Sequence, residues 1–172
     1  MATGPRESTS DEAPFELVAA ACLRLSGDTK PARIFKTLPR GAGLVELAEA
    51  LEPGSPLERL AVIDRARRLA ETALQAAAKT GQRVLAVGAE AYPAWLAEIV
   101  DPPIVLWVAG VLEVLTEPGI AVVGSRRPSA ESWAIAESLG RHLARAGLAV
   151  TSGLARGVDA AAHAGALEGG GP

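Results

Sequence analysis

Two short β-type runs, Ile120–Val123 and Leu148–Thr151, each end in a glycine-bearing turn, and each turn leads into a stretch of helical character. A strand–turn–helix unit repeated in this way leaves little choice of fold. The two strands must run parallel, because the intervening helix returns the chain to the same end of the sheet. Both turns then collect at the carboxyl ends of neighbouring strands. In α/β folds that is where backbone N–H groups at helix N-termini hold phosphate. The expected ligand is therefore anionic, a nucleotide or a nucleic-acid backbone.

In the first turn, Gly124 permits a sharp bend and leaves room for a ligand above the strand end. Ser125 brings a hydroxyl, and Arg126 a planar guanidinium that matches two phosphate oxygens. Pro128 presets the exit, Ser129 is the expected N-cap of a helix running to about residue 146, and Gly147 is its stop. Ile120–Val123 is apolar on both faces, as a buried parallel strand would be. An ordinary strand–turn–helix connection with a surface arginine would look similar. Glycine, hydroxyl and guanidinium at one strand end favour anion binding over that bland alternative.

The second turn reads Ser152-Gly153-Leu154-Ala155-Arg156-Gly157-Val158-Asp159, and the helix expected over 160–167 is built on small residues for close packing. Asp159 fits a helix-capping role at least as well as a ligand contact. His142 and His163 read as surface or hydrogen-bonded structural residues, since no nucleophile or further metal ligands accompany them. Neither turn is a G-x-G-x-x-G fingerprint, and the chain has no G-x-x-x-x-G-K-[ST] loop. No cofactor, no metal and no catalytic residue are expected.

Upstream, a small helical domain is expected over 14–80, after a polar, disordered segment over 1–13. Phe15, Val18, Ala19, Cys22 and Leu25 have helical spacing, and shorter helices follow over about 32–38 and 44–51. Beyond Pro53, Gly54 and Pro56, residues 57–80 read as one long helix. Its apolar stripe is Leu60, Ile63, Ala66, Leu69, Ala73, Leu74 and Ala77. Arg59, Arg65, Arg67 and Arg68 read as its solvated face rather than a DNA contact. From Gly81 the pattern turns to β-type runs, over 82–87 and, past Asp101-Pro102-Pro103, over 104–108. These lead-in strands are expected to join the parallel pair in a thin sheet with an exposed apolar edge. The fold class is α/β: a helical domain, then a partial Rossmann-like (doubly wound, mostly parallel) domain over 81–172.

Composition sharpens the ligand argument. The net charge of −3 over 172 residues gives no global attraction to nucleic acid, so binding must come from a local patch. After residue 120, Arg126, Arg127, Arg141, Arg145 and Arg156 outnumber Glu131, Glu137, Asp159 and Glu168. The hydrophobic content of 49%, much of it alanine, excludes a disordered chain. The single Cys22 excludes an internal disulfide and a cysteine-rich metal site. With no signal-peptide pattern and no apolar run near the roughly 20 residues that span a bilayer, the cytoplasm is expected.

The residues of both turns resemble the DprA/Smf family, DNA-processing proteins of natural transformation. The resemblance rests on Gly124-Ser125-Arg126 with Ser129, on Ser152 to Asp159, and on Ala162-His163 with Gly165-Ala166-Leu167. Tyr92-Pro93, Leu96, Asp101-Pro102-Pro103, Leu106 and Gly110 match the family's lead-in, so the likeness runs from about residue 81 to 170. It implies a single-stranded DNA binder without catalytic turnover, which protects incoming strands and loads a RecA-type recombinase on them. Intact members form homodimers. Carried over by position, the phosphate-contacting candidates are Gly124, Ser125, Arg126, Ser152, Gly153 and Arg156. The chain departs from the family at Ser26-Gly27-Asp28-Thr29-Lys30, where relatives often carry a Gly-Ile-Gly turn, and at Ser132, where many have glycine.

The sequence stops at Gly169-Gly170-Gly171-Pro172, where a third parallel strand is due, so a truncated product is expected. Two other readings stand beside DNA binding. One is a nucleotide-binding Rossmann enzyme such as a nucleoside-monophosphate phosphoribohydrolase, which shares a glycine-serine turn after its first strand. The other is a non-functional remnant.

Overall fold

A capping box starts the longest helix. The Ser55 hydroxyl accepts from the Glu58 N–H, and the Glu58 carboxylate accepts from the Ser55 N–H at 2.6 Å, with Pro56 preset at the first helical position. The computed structural model describes residues 12–25, 44–51 and 55–171. They divide into two units between Leu112 and Glu113. The helix expected over 32–38 and the departure at Ser26–Lys30 lie outside the described residues.

The first unit contains α1 (Phe15–Leu25), α2 (Leu44–Leu51), α3 (Pro56–Lys79), β1 (Arg83–Ala86), α4 (Ala94–Ala97) and β2 (Val105–Val108). Val18, Ala19 and Leu23 of α1 share one core with Ala66, Ala70 and Ala77 of α3 and with Val84 and Val105 of the strands. The buried line of α3 carries only methyl groups, which lets α1 approach closely. Leu60, counted in the expected stripe, is 61% exposed instead. Arg65, Arg67 and Arg68 do lie on the solvated face. Cys22 is a half-buried helix residue whose thiol pKa is raised by burial.

Three expectations are corrected here. β1 and β2 pair antiparallel with each other, Val84 opposite Trp107 and Leu85 opposite Leu106, and do not join the parallel strands. Because their inner faces complete the helical core, the division falls after Leu112 and not at residue 81. Glu12 and Ala13, expected to be disordered, pair with β1: Glu12 bridges Leu85, and the Ala13 N–H donates to the Val84 carbonyl at 2.8 Å.

The second unit follows a 3-10 turn at Leu112–Thr116 and consists of β3 (Gly119–Ala121), α5 (Ala130–Arg145), β4 (Ala149–Thr151) and α6 (Val158–Gly169). β3 and β4 are parallel, with Ile120 opposite Val150, and the Val122 N–H extends the ladder to the Thr151 carbonyl at 2.9 Å. Ser129 caps α5 by accepting from the Ser132 N–H, and Gly147 ends it at φ +76°. The fold is thus α/β, with the parallel pair confined to the second unit.

The run Ile120–Val123 was expected to be buried, yet of its four residues only Val122 is buried, and all three residues of β3 are exposed. The reason is positional: α5 and α6 pack chiefly on β4, and β3 touches the rest of the unit mainly through β4. Between α5 and α6 the packing is backbone on backbone. A Cβ at Gly140 would lie 2.1 Å from the Ala162 carbonyl oxygen. Arg141 ties the pair together from outside, reaching the Glu168 carboxylate at 2.5 Å. Among the described residues no helix is long and apolar enough to cross a membrane.

Candidate functional site

Parallel pairing sets the carboxyl ends of β3 and β4 side by side, so the turns that follow them adjoin. The Val158 N–H, at the start of α6, donates to the Ser125 carbonyl at 3.1 Å. A Cβ on Gly124 would lie 2.9 Å from the Val158 side chain, and one on Gly157 would lie 2.8 Å from the Arg126 Cα. The two turns therefore meet through glycine on both sides. All six residues expected at the site, Gly124, Ser125, Arg126, Ser152, Gly153 and Arg156, fall on this pair of turns.

The second turn is organised by Asp159, in the first turn of α6 and only 6% exposed. Its carboxylate accepts from the Gly153 N–H at 3.1 Å and, more loosely, from the Ala155 N–H at 3.4 Å. Burial pushes the pKa of this group up. Hydrogen bonds from the Ser152 hydroxyl and from the Ala155, Gly124 and Gly153 N–H groups outweigh that effect and hold it below the usual aspartate value. The Ser152 hydroxyl also faces the Val122 carbonyl oxygen, 2.6 Å away, and its single proton serves one acceptor at a time.

Asp159 thus spends its carboxylate inside the site, on N–H groups of the turn that precedes α6. The Ser152 hydroxyl and the Gly153 N–H are engaged within the turns, with the Val122 carbonyl oxygen and the Asp159 carboxylate. Asp159, left open between cap and ligand contact, is the pin that holds both turns.

The first turn is open by comparison. The Ser125 hydroxyl accepts from the Arg127 N–H at 3.1 Å, which leaves its own proton to donate outward. Arg126, Arg127 and Arg156 are exposed, and their guanidinium groups make no hydrogen bond or ion pair with any described residue. By contrast, Arg141 is committed to Glu168 and Glu137. His142 turns back on its own helix, its Nδ1 2.6 Å from the Ser138 carbonyl oxygen. No three metal-ligating side chains cluster among the described residues.

One feature of the second turn had no signal in the sequence. Leu154 has φ +53°, in the left-handed region that branched side chains avoid, and is 80% exposed. Leucine gives no warning of such a backbone. The bonds from its two neighbours to Asp159 impose it.

Fold and site together define an α/β unit whose paired glycine turns, at the carboxyl ends of two parallel strands, carry uncommitted arginines. Residues 83–172, more than half of the chain, match the DNA recombination-mediator protein A family. The chain belongs to that family, as the DprA/Smf resemblance implies. It is 33% identical over 96 residues to the DNA processing protein DprA of Bacillus subtilis, covering 55% of this chain and 32% of the relative. Over 82 residues it is 43% identical to DprA of Streptococcus pneumoniae, 48% of this chain and 29% of that one. It also matches the protein Smf of Escherichia coli, 39% identical over 106 residues, 59% of this chain and 27% of the relative. The X-ray structure of DprA from Streptococcus pneumoniae superposes with a TM-score of 0.59 at 26% identity, covering 92% of this chain and 50% of the other. The chain therefore spans about a third of the length of these curated relatives and half of the solved one.

Proposed function

We propose that this chain binds single-stranded DNA by its sugar–phosphate backbone at the adjoining turns, as a DNA-processing protein of transformation. Arg126 and the open first turn form the main anion site, and Arg156 supplies a second hold on the same strand. Gly124, Ser152 and Gly153 keep the turns in shape. Guanidinium forks grip phosphate without reading sequence, so binding is sequence-tolerant and weakened by salt. The protein acts in the cytoplasm by holding the strand, without turnover, and passes it to a RecA-type recombinase. Self-association, which the family resemblance implies, accompanies this role.

One observation carries the reading. Two exposed arginines without described partners stand on turns whose backbones touch, in a chain whose net charge is −3. Membership of a recombination-mediator family and relatives named for DNA processing support the choice of ligand.

A fluorescence-anisotropy titration with labelled oligo-dT at two salt concentrations tests it, alongside free mononucleotides. Salt-sensitive binding of the oligonucleotide is expected. Turnover of a nucleoside monophosphate would point to the phosphoribohydrolase class instead, and no binding of either would leave a remnant.

A further inference from the structure

Leu154 combines two unfavourable features. Its backbone is left-handed at φ +53°, the one positive φ of a non-glycine residue among those described, and its side chain is 80% exposed. The bonds to Asp159 hold the backbone, but no described residue covers the side chain. Asp159 takes the N–H groups of Gly153 and Ala155, the residues on both sides, and so fixes Leu154 at the apex of the turn. A strained, outward apolar residue held by its neighbours points to a contact with something outside the chain.

The same turn suggests what that contact is. Arg156 lies two residues further on, and the backbone of Arg126 adjoins Gly157. A single nucleic-acid strand offers two chemistries side by side, anionic phosphates and apolar base faces. A duplex buries those faces in its stack. An exposed isobutyl group two residues from an exposed arginine, on the same turn, matches a strand whose bases are uncovered.

We propose that Leu154 is the base-contacting residue of the strand-binding site and provides its preference for single strands. This rests on the DNA-binding reading above, which assigns only the phosphate contacts.

The test compares oligo-dT with an abasic strand of equal length, which keeps the phosphates and lacks the bases. The wild-type chain is expected to bind oligo-dT about fivefold more tightly than the abasic strand, as for half-burial of one leucine side chain. Leu154→Gly should bind both strands equally, at the wild-type abasic affinity, with an unchanged salt slope. Glycine tolerates the left-handed backbone, so this variant should melt no lower than wild type. Leu154→Asn, polar yet at ease in the same conformation, should behave alike.

Retention of the fivefold preference in both variants overturns the proposal. A clear fall in melting temperature in both also overturns it, since Leu154 would then be packing against protein. The phosphate reading fails separately, if Arg126→Ala leaves binding of both strands unchanged.

Discussion

A Cβ placed on Gly157 would lie 2.2 Å from the Ser125 carbonyl oxygen, closer than any non-bonded contact allows. This is the point at which the second glycine turn presses on the first, and Gly157 also sits at φ +93°. Gly157→Ala therefore combines a backbone clash with left-handed strain. We expect a loss of about 3 kcal/mol or more in unfolding free energy, read by urea denaturation. Gly147→Ala is the matched comparison. It has a similar φ of +76° with nothing within 4 Å of the added carbon, and should cost only about 1 kcal/mol. Equal costs for the two substitutions would refute the backbone contact between the turns.

The interface between α5 and α6 makes a second demand on glycine. A Cβ at Gly165 would meet the Glu137 carbonyl oxygen at 1.8 Å, and only separation of the two helices would relieve it. Gly165→Ala is expected to cost more than about 3 kcal/mol, beyond the usual range for overpacking. Arg141→Ala, which removes the exposed tie to Glu168, should cost about 0.5 to 1 kcal/mol. Thermal melts of the two variants check the contrast. A larger effect from Arg141→Ala would mean that the ion pair, not the backbone packing, holds the helices together.

Much of this second unit is legible in the residues themselves. Ser129 and Gly147 bracket α5 as capping chemistry dictates, and glycines at 124, 153 and 157 mark the turns. What pattern reading misses depends on contacts remote in sequence. The runs at 82–87 and 104–108 look like further strands of the same sheet, yet they pair with each other because their inner faces complete the α1–α3 core. Ile120–Val123 has the composition of a buried strand, but α5 and α6 lie mainly on β4. At the site, arginine and glycine can be found by eye. The internal use of the Gly153 N–H cannot, because it depends on where Asp159 is carried by its helix.

The pKa of Asp159 gives a pH dependence with a definite sign. Its folded value is held below the ordinary 3.8, so the native state favours the ionised form. That contribution to stability is complete above the unfolded pKa and is lost as pH falls through the folded one. Wild-type stability should therefore decline as pH drops below about 4, and Asp159→Asn should decline less over the same range. Glu58 carries a depressed pKa of the same sign through its bonds to Ser55, so the comparison is best made on a Glu58→Gln background. Guanidinium denaturation at a series of pH values measures it. Parallel curves for the two chains would show that the Asp159 bonds add nothing.

The two arginines can be told apart from general basicity by how salt affects their loss. Each phosphate neutralised on a single strand contributes about 0.7 to the slope of log affinity against log salt. Arg126→Ala and Arg156→Ala should each reduce the slope by about that amount and weaken oligo-dT binding about tenfold at low salt. Arg126 should show the larger loss of affinity, since its turn is the open one. Arg145 is the control: it is exposed and ends the 16-residue α5, about 24 Å along the helix from the turn. Its removal changes net charge by the same single unit. If Arg145→Ala lowers the slope as much as Arg126→Ala does, the strand is following overall charge, and the paired turns are not its site.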